Sequence, residues 1–189
     1  MKKTLLSALL LCGAHFSNAQ VEFNHSTGLT YLLVHSVTRE SNSLFDYEGT
    51  TIAGYPGVTY NPRIDFVLDR NSSFSITSYP TLALNLSVGS GGSSGYLALE
   101  APIMGQYNFG NHSTQTTRKD FGGFVACGYN IGFYSANGLL HGPTAQAGVK
   151  FYFRDQPMGV RLEYSKPIGL SRGDKANIFG IGLLYNIER

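Results

Sequence analysis

Residues 74 to 88 alternate between apolar and polar side chains. Phe74, Ile76, Ser78, Pro80, Leu82, Leu84, Leu86 and Val88 share one face, and Ser75, Thr77, Tyr79, Thr81, Ala83, Asn85 and Ser87 share the other. Successive side chains of an extended chain point to opposite sides, so this period of two predicts one two-faced β-strand. Globular strands most often run roughly 5 to 6 residues, which makes the length itself informative. The same pattern recurs seven times. Residues 21–37 align Phe23, Leu29, Tyr31, Leu33 and Val37, and 52–68 align Ile52, Val58, Tyr60, Ile64, Phe66 and Leu68. Residues 96–109 align Leu97, Leu99, Ile103, Tyr107 and Phe109, and 121–135 align Phe121, Val125, Tyr129, Ile131 and Phe133. Residues 143–154 align Val149, Phe151 and Phe153, 158–168 align Met158, Val160, Leu162, Tyr164 and Ile168, and 178–187 align Phe179, Ile181, Leu183, Tyr185 and Ile187.

Turn-forming residues separate these segments: Asp69-Arg70-Asn71-Ser72, Gly89 to Gly95, Asn137-Gly138, Arg154-Asp155-Gln156-Pro157 and Ser171-Arg172-Gly173-Asp174. The tight connections follow the second and sixth strands, and the exception is the longer stretch Gly110 to Lys119. Eight long two-faced strands joined in sequence predict an all-β, antiparallel, up-and-down barrel, because closure removes exposed edges.

Alternation does not say which face is inside; the polar face decides it. A water-facing exterior carries many Lys and Glu, yet the polar face of 74–88 has no charge. That of 121–135 reads Gly122, Phe124, Ala126, Gly128, Asn130, Gly132, Tyr134, a set suited to a narrow lumen. The charges within the strands, Arg63, Asp65, Glu100, Lys150, Arg161 and Glu163, fall on that polar face, and Lys166 is the lipid-side exception, near a strand end. Arg or Lys at the lipid-facing midplane costs roughly 2–4 kcal/mol, which gives the exclusion a physical reason. The expected structure is a transmembrane barrel with its apolar face toward lipid, and a secreted lipocalin-like carrier of an apolar ligand is the inverted alternative.

The chain has 189 residues, of which 14% are charged, so one domain is expected after any leader. Met1-Lys2-Lys3, an apolar run to Leu11 and Ser17-Asn18-Ala19 have the order of a secretory signal peptide, predicting a leader over 1–19 and a barrel domain over 20–189. Removing Lys2 and Lys3 with the leader leaves 12 Lys+Arg against 12 Asp+Glu. No basic arm remains for nucleic acid. Cys127 is then the lone cysteine, so an intramolecular disulfide is excluded.

The eight-strand pattern resembles the small outer-membrane barrels of the OmpA-like and OmpX-like kind over the whole mature length. The last strand, Phe179 to Arg189, is similar to the C-terminal signal read by the barrel-assembly machinery in such proteins, with Ile187 where a terminal aromatic is usual. The resemblance implies location in the outer membrane, with outer-membrane lipid and that machinery as partners.

With the N-terminus periplasmic, loops at 38–51, 89–95, 136–142 and 169–175 face outside and offer a surface to an extracellular ligand. The charges Arg63, Asp65, Lys150, Arg161 and Glu163 map to the periplasmic half of the lumen and Glu100 nearer the outside. They are read as a network within a closed barrel rather than a pore lining, since side chains fill the interior at eight strands. A lipid A-modifying barrel enzyme would need His with Ser or Asp on one face. His35 adjoins Ser36, which points to the opposite face; His112 and His141 are expected in loops, and no catalytic residue is assigned. Gly89 to Gly95 lacks the Gly-Lys-Ser/Thr ending of a phosphate loop, no Cys/His spacing suggests a metal, and no cofactor is expected. A structural or surface-interaction role is the expected function.

Overall fold

The computed structural model describes residues 20–42, 45–89, 92–117, 120–135, 138–168 and 175–187, with backbone alone at 38–42, 45–48, 86–89 and 92–94. The expected leader, residues 169–174 of the last outer loop and the final Glu188-Arg189 lie outside the described residues. Ten antiparallel strands form: β1 (Val21–Asn42), β2 (Phe45–Asp69), β3 (Ser72–Ser78), β4 (Thr81–Gly89), β5 (Gly92–Glu100), β6 (Ile103–Gly110), β7 (Phe121–Tyr134), β8 (Gly138–Phe153), β9 (Gln156–Ser165) and β10 (Lys175–Ile187). β1 pairs with both β2 and β10, so the sheet closes on itself.

The ring has eight traverses, because β3 with β4 and β5 with β6 each make one crossing. The 74–88 and 96–109 segments, expected as continuous strands, are both interrupted at a proline. Thr81 pairs with Glu100 and Ser78 with Ile103, leaving Tyr79-Pro80 facing Ala101-Pro102 outside the ladder. Proline has no N–H to donate, so Pro80, opposite Ala101, and Pro102, opposite Tyr79, interrupt that ladder. Outer bonds hold the interruption in place: Tyr60 N donates to Pro80 O at 3.0 Å and Ala101 N to Ile131 O at 2.9 Å.

Thr30 faces Gly57 directly across β1 and β2. Stepping the other way round the ring, through Gly182, Arg161, Gly148, Phe124, Asn108 and Ser73, returns to β2 at Val67. The ring therefore closes with a stagger of ten residues, which goes with strands tilted about 35–45° to the barrel axis.

The faces follow the alternation. Leu29, Ile103 and Leu162 are 66%, 65% and 59% exposed on the outside, while Thr30, Gln106 and Arg161 are buried within. Polar side chains line most of the interior, so an inward-facing apolar cavity of the lipocalin type is absent among the described residues. A girdle of Phe23, Phe109, Phe121 and Phe153 rings one end of the outward face. The same end carries Gln20, Ile187 and the two-residue turns Arg70-Asn71 and Arg154-Asp155. Arg154 (φ 50°) and Asp155 (φ 61°) have the left-handed pair of a primed hairpin turn. Outer-membrane barrels keep short turns in the periplasm, so this is the periplasmic end.

Three expected outer loops are shorter than the sequence pattern suggested, and of these 89–95 is paired up to Gly89↔Gly92. The β1–β2 ladder continues through Thr38↔Gly49 to Asn42↔Phe45, so most of 38–51 is paired hairpin. Likewise β8 starts at Gly138, and His141, expected in an outer loop, is a strand residue opposite Ile131. Beyond the bilayer both faces of a strand become polar, and the period-2 signal ends before the ladder does.

Candidate functional site: the lumen and its two seals

The six charged residues singled out above all point inward, and each is 6% exposed or less. They fall into three groups, two of which are bridged by neutral side chains. Arg63 and Asp65 stand two apart on β2, so their side chains share the lumen face. Arg63 Nε lies 2.7 Å from Asp65 Oδ1 and 2.9 Å from Oδ2. Asp65 also accepts from Asn24 Nδ2 at 2.6 Å and from Ser75 Oγ. Lys150 joins from β8 through Asn108, whose Oδ1 accepts from Lys150 Nζ at 2.8 Å and from Arg63 Nη1 at 3.3 Å. A buried ion pair is tolerated when its remaining donors and acceptors are met, and these are.

Nearer the middle, Arg161 and Glu163 pair at 3.6 Å on β9. The Arg161 guanidinium stacks 4.4 Å from the centre of the Tyr79 ring, and its Nη2 donates to Thr30 Oγ1 at 3.3 Å. Tyr79 OH donates to Gln106 Oε1 at 3.0 Å, linking this group to the periplasmic cluster. Glu100 stands apart toward the outside, accepting from Asn130 Nδ2 at 2.9 Å and from Tyr134 OH.

The connection between β6 and β7 is more than a long turn. It folds into the periplasmic mouth, where Asn111, Ser113, Thr114 and Thr117 are buried. Arg63 Nη2 and Lys150 Nζ both donate to the His112 carbonyl, at 3.1 and 3.0 Å. Ser73 Oγ donates to Ser113 O, and Glu22 Oε2 accepts from Gln115 N at 2.7 Å. The buried cations therefore hold a plug through its backbone oxygens. Glu22 was not singled out from sequence, although its place beside the outward Phe23 puts it on the lumen face.

A second seal crosses the outer half. Leu32, Val34, Tyr55, Ala83, Ala98, Tyr134, Leu140, Ala176 and Ile178 form one buried apolar cluster. Tyr55 of β2 and Tyr134 of β7 meet edge to face with centroids 6.0 Å apart and planes at 72°. The alternation alone did not reveal this layer, because Leu32, Leu33 and Val34 are consecutive and all apolar.

Two of the histidines outside the lumen, His25 and His141, contact tyrosines. Tyr60 OH lies 3.4 Å from His25 Nδ1, and Tyr129 OH lies 2.6 Å from His141 Nδ1. Among the described residues, no three His, Cys, Asp or Glu side chains converge on a metal-binding geometry.

A closed ring of eight antiparallel traverses, apolar without and polar within, defines a transmembrane β-barrel of the outer-membrane type. Solved structures agree. The chain is similar to neisserial surface protein A, at 10% identity over 90% of this chain and 99% of that one, with a TM-score of 0.52. It also matches OprG of Pseudomonas aeruginosa (12% identity, 90% and 99% covered, TM-score 0.47) and Ail of Yersinia pestis (10%, 86% and 98%, 0.42). The sequence matches no protein-family model and no curated protein. The chain has the fold of the small outer-membrane β-barrels.

Proposed function

We propose that the protein is a surface-interaction barrel, a sealed anchor in outer-membrane lipid that presents its β1–β2 hairpin to the exterior. The observation that carries this is the reach of that hairpin. Among the described residues, β4 pairs with β2 from Gly57 to Thr59 and β10 with β1 as far as Val37, while the β1–β2 ladder runs on through five further pairs, from Thr38↔Gly49 to Asn42↔Phe45. This paired arm leaves the ring carrying Arg39, Glu40, Asp46, Tyr47 and Glu48. Backbone pairing along the arm limits the conformational entropy that binding removes. The plug and the tyrosine layer support an anchor rather than a channel. The pattern of β10 supports insertion by the barrel-assembly machinery.

Replacing residues 39–48 with an Asn-Gly turn tests the reading. The trimmed protein is expected to keep its heat-modifiable gel shift, and cells carrying it to attach to matrix-coated surfaces as poorly as cells lacking the protein. Attachment unchanged by both trimming and deletion would count against the proposal. Detergent sensitivity caused by deletion but not by trimming would point instead to a purely structural role.

A further inference from the structure

Among the described residues, outward-facing cations away from the periplasmic turns occur in one region of the wall. Toward the outer rim, the lipid-side positions of four adjacent strands and their immediate extensions are His141 on β8, Lys166 just past β9, Asn177 and Lys175 on β10, and His35 on β1. These positions are contiguous. Lys166 N donates to Pro143 O at 3.0 Å, Ile168 N to His141 O at 2.7 Å, and Asn177 pairs with His35 across the β1–β10 ladder. Adjacent strands lie about 4.8 Å apart, so the row spans roughly 15 Å of wall. Over the corresponding outer stretch, the far side of the ring presents Leu82, Leu84 and Leu99, all exposed. The polarity therefore belongs to one side and is not a uniform belt.

Two tyrosines fix the donors. Tyr164 OH donates to Asn177 Oδ1 at 2.9 Å, which leaves the Asn177 amide nitrogen to donate outward. Tyr129 OH holds His141 through Nδ1 and leaves Nε2 facing away. The patch thus offers two ammonium groups, an amide N–H and imidazole nitrogens. The outward Asp residues that the structure describes, Asp69, Asp120 and Asp155, all lie at the periplasmic end. Cations on a lipid-facing wall are costly near the midplane and become favourable where they meet anionic headgroups at the interface.

We propose that this face of β8–β9–β10–β1 binds the phosphate-bearing headgroup of an outer-leaflet lipid. Positive charge supplies the attraction, and the tyrosine-held Asn177 and His141 supply directed hydrogen bonds to phosphate oxygens. The proposal rests on the membrane location of the barrel and is independent of what the β1–β2 hairpin binds.

The test is lipid retention by the full barrel in phosphatidylcholine nanodiscs containing a minor fraction of lipid A, read by native mass spectrometry after transfer to detergent. Lipid A is expected to be retained in preference to its dephosphorylated form. The double variant Lys166→Gln/Lys175→Gln should retain about thirtyfold less, judging from the usual attraction of two surface lysines to an anionic lipid. Arg154→Gln, which removes an exposed cation at the periplasmic turn, should retain as much as the unaltered protein. The gel shift of each variant confirms that it is folded. Equal retention of the phosphorylated and dephosphorylated lipids, or full retention by the double variant, would overturn the proposal. Displacement of lipid A by millimolar inorganic phosphate would also overturn it, showing a site for the free anion instead of a lipid.

Discussion

Removing the β6–β7 plug together with Tyr55 and Tyr134 is expected to turn a silent barrel into a conducting one, whereas removing the plug alone leaves it silent. The lumen is closed twice by unrelated chemistry. At the periplasmic mouth, Arg63 and Lys150 hold the His112 carbonyl, and Ser73 holds that of Ser113. In the outer half the two tyrosine rings meet edge to face between walls formed by Leu32, Leu140 and Ile178. A path for ions needs continuous water, and an apolar constriction blocks conduction by shedding water even when the rest of the passage is polar. Linking Gly110 to Asp120 through a short turn opens only the lower seal. Adding Tyr55→Gly and Tyr134→Gly removes the two side chains that meet across the upper one. Planar-bilayer recording separates these cases: discrete openings are expected only from the combined variant. Openings from the plug deletion alone would show that the tyrosine layer does not close the barrel.

Asp65→Ala is expected to be the most destabilising single change in the lumen, at about 3–5 kcal/mol, because it leaves the Arg63 charge buried without its partner. Asp65 is fully buried and takes hydrogen bonds from Arg63, Asn24 and Ser75, so water does not replace the lost carboxylate. Replacing both partners, Asp65→Leu with Arg63→Met, removes the charge as well as its counterion and should recover most of that loss. The same double variant frees the plug from one of its two cationic holds, leaving Lys150 on the His112 carbonyl. The chain has no Trp, so the folded fraction in urea is best read by the gel shift between unboiled and boiled samples. A loss under about 1 kcal/mol for Asp65→Ala would mean that the ion pair is not integral to the fold.

The faces of the barrel were legible because each amphipathic strand carries its own record of the environment on either side. Phe74 through Leu84 announce lipid at even positions and lumen at odd ones without reference to any other part of the chain. What escaped the pattern depends on partners distant in sequence. Arg63 reaches His112 across 49 positions and Lys150 reaches it across 38, and no local spacing encodes either bond. The plug is itself aperiodic, a run of Asn, His, Ser, Thr and Gln that reads as an ordinary connection until the barrel mouth is built around it. Tyr134 was visible as a lumen residue, but its meeting with Tyr55 depends on the ten-residue stagger, which appears only when the ring closes. The two prolines were open to a stricter reading. Pro80 sits in phase with the outward face, and only its missing N–H marks the interruption, which it shares with Pro102 on the neighbouring traverse. The six charges share the lumen face but divide into three clusters in space, and Glu22 joins the periplasmic one.

The assignment of apolar positions to lipid and polar positions to a closed lumen is tested most directly by a fluorophore scan along β4 in a bilayer. With Cys127→Ala as background, single cysteines at Thr81, Leu82, Ala83, Leu84 and Asn85 would each be labelled and exposed to brominated lipid. Strong quenching at Leu82 and Leu84 with little at Thr81, Ala83 and Asn85 is the predicted result. Quenching at the odd positions instead, or at neither set, would contradict a transmembrane barrel with this orientation of its wall.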